Sequence, residues 1–225
     1  MWSAWEHEQT GTLASQLVDK GCNVMEAAKI REALLRKGYA FSGFQSAEEA
    51  AVYLDNKIDK KTVGFGDSAT LLSMEMYKRL SGHNQVFDPQ HCAAGESFLD
   101  TAKRCLTTEI YLTSVNAISE AGELVNIDGT GNRVAGSLFG HEKVYFVVGV
   151  NKVVPTLEDA IWRARNIAAP RNAKRLKLKT PCAKKGDRCH DCSSHERICN
   201  GMVIHFKKMN DMDMEVILIN EQLGY

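Results

Sequence analysis

The stretch that decides the fold is Leu124–Val150, LVNIDGTGNRVAGSLFGHEKVYFVVGV. Leu124 to Ile127 is apolar and reads as a strand. Asn126-Ile127-Asp128-Gly129-Thr130-Gly131-Asn132-Arg133 packs polar groups and two glycines into one turn. Asn132 to Leu138 reads as a short helix, and Lys143 to Val150 as an apolar strand rich in β-branched residues. A loop that follows a strand and precedes a helix sits at a strand's carboxyl end, where open α/β sheets bind ligands.

The same rhythm continues on both sides. Upstream, Thr62 to Phe65 is a short strand, Ala69 to Leu80 a helix, Gln85 to Phe87 a strand and Phe98 to Leu106 a helix. Ile110, Tyr111 and Leu112 form a further strand. Downstream, Pro155 opens a helix with Leu157, Ile161 and Ala164 on one face. Alternation of this kind predicts an α/β fold, an open, mostly parallel sheet flanked by helices. An N-terminal helical segment covers residues 1–58: Ala14, Leu17, Val18, Val24, Ala27, Ala28, Ile30, Leu34 and Leu35 recur at helical spacing, and Gly21 and Gly38 act as stops. Ser46 and Glu49 have the spacing of a capping box. At the other end, Met202–Phe206 and Glu215–Ile219 read as a closing strand pair around a turn at Asn210 and Asp211. The expectation is one domain over residues 1–225.

Composition narrows the function classes. Hydrophobic residues make up 44% and charged residues 25%, the balance of an ordinary globular chain. Lys plus Arg and Asp plus Glu number 28 each, so no global field draws the chain to nucleic acid or anionic lipid. Met1 to Lys20 has no apolar core segment and does not read as a signal peptide. No apolar run is long enough to span a bilayer. Seven cysteines without a leader then imply a reducing, cytoplasmic setting. Trp2 and Trp5 read as packing or homo-oligomer contacts.

Four of those cysteines, Cys182, Cys189, Cys192 and Cys199, follow the pattern C-x6-C-x2-C-x6-C in the loop 180–200. A two-residue spacer lets both sulfurs of Cys189 and Cys192 converge on one ion, and the outer arms are long enough to bring in the other two. Lys184, Lys185, Arg188 and Arg197 would offset the charge of a thiolate-rich centre. Zinc and an iron–sulfur cluster both satisfy the spacing, and His190 or His195 could replace a cysteine in either.

Two glycine loops are the candidate ligand site. In Gly64-Phe65-Gly66-Asp67-Ser68-Ala69-Thr70 the glycines permit close backbone approach, and Ser68 and Thr70 at a helix start supply donors for an anion. The pattern lacks the Walker lysine and the third glycine of a dinucleotide fingerprint. In the second loop Gly129, Thr130 and Asn132 shape the turn, Arg133 offers a bidentate grip on carboxylate or phosphate, and Asp128 could act as base or hold a hydroxyl. Asn116, in the polar turn after the Ile110 strand, fits a pocket floor. Loops at strand ends of a parallel sheet share one edge, so the two are expected to converge.

Several runs together resemble the lactate-utilization (LUD) domain family. They are TSVNAISEAGELVNIDGTGNRVAGSLFG, VVGVNKVVPTLEDAIWRARNIAAPRNAKRL, TPCAKKGDRCHDCSSHERICN and VILINEQLGY, with LVDKGCNV and GFGDSAT earlier. The resemblance implies a fold similar to sugar-phosphate isomerases and CoA-transferases, with a ligand cleft at the GFGDSAT and NIDGTGNRV loops. It implies a stand-alone member, without the ferredoxin-like module of larger relatives. Family members are associated with lactate oxidation by iron–sulfur proteins, which places an iron–sulfur cluster slightly ahead of zinc for the quartet. The leading expectation is a redox component of organic-acid metabolism, an oxidoreductase component with redox partner proteins, whose cleft holds a small anionic metabolite. An isomerase or transferase of the sugar-phosphate class with a structural metal, and a non-enzymatic metabolite-binding protein, are the rival readings.

Overall fold

The computed structural model describes residues 24–225. The helix expected through Ala14, Leu17 and Val18, its stop at Gly21, Trp2 and Trp5, and the leader region Met1–Lys20 lie outside the described residues.

In chain order the first elements are α1 (Val24–Arg36), β1 (Ala40–Phe44), α2 (Ala47–Lys57), β2 (Thr62–Phe65), α3 (Ala69–Ser73), α4 (Met76–Leu80), β3 (Gln85–Phe87) and α5 (Phe98–Cys105). They are followed by β4 (Ile110–Thr113), β5 (Ala117–Ser119), β6 (Leu124–Asp128), α6 (Asn132–Gly136), β7 (Lys143–Gly149) and β8 (Val153–Val154). The last are α7 (Leu157–Arg163), α8 (Ala169–Arg175), α9 (Pro181–Lys185), β9 (Gly201–His205) and β10 (Asp213–Ile219).

Six strands form one sheet in the order β1-β10-β7-β4-β2-β3, and every neighbouring pair is parallel. Its central strands are apolar on both faces, as a sheet covered by helices on both sides demands. Along β7 the side chains alternate between two cores. Tyr145 and Val147 pack with Leu54, Ile58, Leu71 and Leu80 from α2, α3 and α4. Val144, Phe146 and Val148 pack with Ile30 and Leu34 of α1. A second sheet has the order β8-β5-β6-β9, with β6 antiparallel to both β5 and β9. A third core, with Ala117, Val125 and Ile127 against Ala160 and Ala164, joins this sheet to α7.

The structure departs from the sequence-based expectation in four places. The N-terminal segment is not wholly helical: Ala40–Phe44 is an edge strand, β1, paired with β10. Leu124–Ile127 is a strand, but of the small mixed sheet, antiparallel to both of its neighbours. Gly122, at φ +86°, closes the tight turn from β5 into it. Met202–Phe206 and Glu215–Ile219 do not pair with each other. β9 lies against β6, whereas β10 inserts between β1 and β7. The burial explains this, since β10 is buried from Met214 to Ile219 while β9 begins exposed at Gly201 and Met202.

The fourth departure is at Glu75, whose left-handed φ of 52° divides the helix expected over Ala69–Leu80 into α3 and α4. Further on, a helix continues across Ala169. α7 runs into α8 through a π-helical segment at Ala164–Ala168. Pro170 has no N–H to give the preceding turn, and a π bulge accommodates that loss without ending the helix.

Candidate ligand cleft and cysteine cavity

Because β2, β4, β7 and β10 are parallel, the segments that leave their carboxyl ends meet at one edge of the large sheet. All four line a single cleft: Asp67–Thr70 after β2, Ser114–Asn116 after β4, Lys152 after β7, and Gly224–Tyr225 after β10. Ile127 and Arg133 enter from β6 and α6, and Ala168, Ala169, Asn172 and Arg175 from the π segment and α8. The two glycine loops therefore do share a cleft, although β6 is in the other sheet.

Among the residues expected from the sequence, Asp67, Ser68, Thr70, Asn116 and Arg133 line the cleft. Asp67 sits in the left-handed region at φ 47° and contacts Gln90. Ser68 caps the five-residue α3, accepting from Leu71 N at 3.4 Å. The Asn116 carboxamide oxygen accepts from Ile127 N at 2.7 Å and from the Arg133 guanidinium at 3.3 Å. Arg133 also donates to the Ile127 carbonyl, so its position over the cleft floor is held from two sides.

The other expected residues are placed elsewhere. Asp128 accepts from the N–H groups of Arg133 at 3.0 Å and Val134 at 3.2 Å, capping the start of α6. Asn132 gives its carbonyl to the Tyr111 hydroxyl at 3.3 Å. Thr130 is exposed. Gly64, Gly66 and Gly129 are packing positions, and Gly131 instead takes a left-handed φ of +92° in open space. A Cβ on Gly64 would meet Cys105 O at 2.5 Å, one on Gly66 Thr113 Oγ1 at 2.7 Å, and one on Gly129 Ile198 Cα at 2.9 Å.

Sequence reasoning passed over the cleft's most unusual residue. Lys152 is 3% exposed, and its amine donates to Thr70 Oγ1 at 2.9 Å and Ser114 Oγ at 2.8 Å. No carboxylate neutralises it among the described residues. Burial, then the positive charges of Arg163 and Arg133, push its amine down to about 7. Arg163, itself buried, donates to the carbonyls of Asn116 and Asn151, again with no carboxylate partner among the described residues. Among the described lining side chains Arg133, Lys152 and Arg175 are cationic and Asp67 is the sole carboxylate. The signal for Lys152 was in the sequence: a lysine set within the otherwise apolar run VVGVNKVV.

The four cysteines line a second, smaller cavity, together with Arg165, Thr180, Arg197 and Ile198. Cys182 lies on α9, which Thr180 caps and Gly186 ends at φ 70°. Asn166 of the π segment accepts from Cys189 N at 3.3 Å and anchors the loop. Asp191 N donates to Cys189 Sγ at 3.4 Å. Arg197 clamps the carbonyls of Cys192 at 2.8 Å and Cys199 at 3.1 Å. Burial pushes the Cys199 thiol up, and Arg197 opposes that shift. All four thiols are free. Among the described residues no group of three or more His, Cys, Asp or Glu is drawn together closely enough to hold a metal ion. His190 pairs with Asp187 and His195 is exposed; neither lines the cavity. The two cavities are neighbours, with Ala169 and Ile198 in the wall of both.

A mostly parallel six-stranded sheet covered by helices, with a cleft across its strand ends, defines the α/β class. Within that class this chain belongs to the LUD domain family, whose model matches residues 27–219. In structure it is similar to a DUF162 family protein from Deinococcus radiodurans, at 13% identity and a TM-score of 0.49, covering 87% of this chain and 96% of that one. No curated protein matches the chain. No helix among the described residues is long and apolar enough to cross a membrane.

Proposed function

We propose that this LUD-domain protein binds a small anionic metabolite, a 2-hydroxy acid or a phosphorylated relative, beside a four-cysteine metal centre. In this reading it serves as a redox component of lactate-type organic-acid metabolism in the cytoplasm. The observation that carries the reading is the charge of the cleft. Lys152 is buried in the cleft wall beside Arg133 and Arg175, with no carboxylate partner among the described residues, so an incoming anion supplies the missing countercharge. Arg133 would grip the carboxylate or phosphate, and Asn116 and Ser68 would meet hydroxyl groups.

The loop supplies the donor types of a thiolate-bound metal. Among the described residues no three of those groups stand close enough to hold one in this arrangement, so binding would draw the thiols together. Four thiols surround one space, a backbone N–H already points at Cys189 Sγ, and Arg165 and Arg197 stand ready to offset thiolate charge. An iron–sulfur cluster there would supply one-electron transfer, and zinc would brace the loop. Either way the chain's own contribution is to hold Ile198 against the cleft.

Thermal-shift titration with L-lactate, glycolate and a sugar phosphate tests the cleft. Arg133→Lys keeps the charge but loses the bidentate fork, and about a tenfold weaker response is expected, ~1.4 kcal/mol. Equal responses in wild type and variant would return Arg133 to a purely structural role at Asn116 and Ile127.

A further inference from the structure

We propose that the Lys152 amine is a covalent nucleophile, which captures the carbonyl carbon of a 2-oxo acid in the cleft as a Schiff base. The inference rests on the reading of the cleft as a carboxylate site and names the oxidised counterpart of a 2-hydroxy acid as its second ligand.

The geometry separates Lys152 from a lysine kept for ion pairing. Its Nζ is held by two neutral hydroxyls, Thr70 Oγ1 and Ser114 Oγ, which are themselves buried and 3.4 Å apart. The same amine lies in the cleft wall with Arg133 and Asn116, the groups suited to a carboxylate. Burial and two neighbouring guanidiniums are the conditions under which an amine loses its proton and becomes a nucleophile. With its ordinary value of 10.5 brought down to about 7, Lys152 carries about a thousandfold larger share of free amine at neutral pH than an exposed lysine.

The step balances without an outside oxidant or reductant. The nitrogen lone pair forms a bond to the carbonyl carbon, and the C=O π electrons move to oxygen, which takes a proton. The nitrogen proton passes through the Thr70 and Ser114 hydroxyls, and the carbinolamine loses its oxygen as water. Amine, carbonyl and one proton become a protonated imine and water. The acid's carboxylate stays on Arg133 throughout.

Sodium borohydride trapping tests this on the intact protein. Wild type is incubated with pyruvate or glyoxylate at neutral pH, reduced, and analysed by intact mass and peptide mapping. The expected result is one adduct per chain, located on Lys152, suppressed by L-lactate and absent from Lys152→Arg. No adduct, or labelling spread over exposed lysines and equal in both proteins, overturns the proposal. If Lys152→Arg fails to fold, mapping and lactate protection in wild type decide alone. A retained thermal shift with L-lactate despite failed trapping leaves the anion cleft standing. Loss of both removes the functional reading itself.

Discussion

A buried amine without a carboxylate leaves a mark on stability that does not depend on any ligand. The Lys152 value in the folded chain, about 7, lies below its ordinary 10.5, so between these two pH values the unfolded chain binds more protons. Stability from this residue therefore rises with pH across that window. Below about pH 7 both states are protonated and the cost of burying the charge is fully present, at most about 5 kcal/mol. Urea unfolding of wild type and Lys152→Met at pH 7 and pH 9 isolates the effect, since other titrating groups cancel in the comparison. Wild type should gain roughly 2–3 kcal/mol on the variant over that step. Parallel pH profiles would show that Lys152 reaches water and titrates as an ordinary lysine. Asp128 shows the opposite case. A carboxylate in a glycine-rich turn looks like a base, yet its oxygen is occupied by two backbone N–H groups of α6.

At the scale of elements, the cysteine loop is the piece whose removal should do least to the core. It is anchored by Asn166, by Arg197 and by Asn200, which donates to the Asp128 and Gly129 carbonyls at 3.0 and 3.1 Å. None of its four cysteines belongs to the two cores of the large sheet. Replacing Cys189 and Cys192 together by Ser is expected to abolish bound metal in anaerobically purified protein while the far-ultraviolet circular dichroism and cooperative unfolding persist. Unchanged metal content would remove the centre from this loop.

The elements were legible in the sequence wherever apolar periodicity and punctuation agreed, as in β7 and in the loops after β2 and β6. They were not legible where partner choice decided the outcome. Val203 and Ile204 pair with β6 because β10, buried on both faces, is taken up inside the large sheet between β1 and β7. A strand's own residues reveal how deeply it is buried but not which neighbour it finds. The capping signals show the same limit. Ser46 does cap α2, but Glu49 takes the N–H of Gln45 rather than that of Ser46. The full reciprocal box is at Ser97 and Asp100. In the cleft, five of the expected residues, Thr70 among them, were found from local pattern, whereas Thr70 meets Ser114 and Lys152 only because three parallel strands end together.

For the whole molecule, the unequal sheets imply unequal local stability. β7 and β10 have strands on both sides and side chains buried on both faces, whereas β8, of two residues, and β9 lie at the edges of the small sheet. Amide hydrogen exchange should therefore be slowest in Val144–Val148 and Val216–Leu218, opening only with global unfolding. Gly201–Ile204 should exchange through smaller local openings. Equal protection in the two sheets would mean that they unfold as one unit.

The wall shared by the cleft and the cysteine cavity has a thermodynamic consequence. Ile198 and Ala169 face both spaces, so any occupant that shifts them changes the free energy of the other. Such linkage is reciprocal. If loading the thiols tightens anion binding by some factor, a bound anion must tighten the thiols' hold on their occupant, as an equilibrium affinity, by that same factor. Anion concentration would then set how firmly any thiol-bound ion is held, making its retention a readout of anion supply.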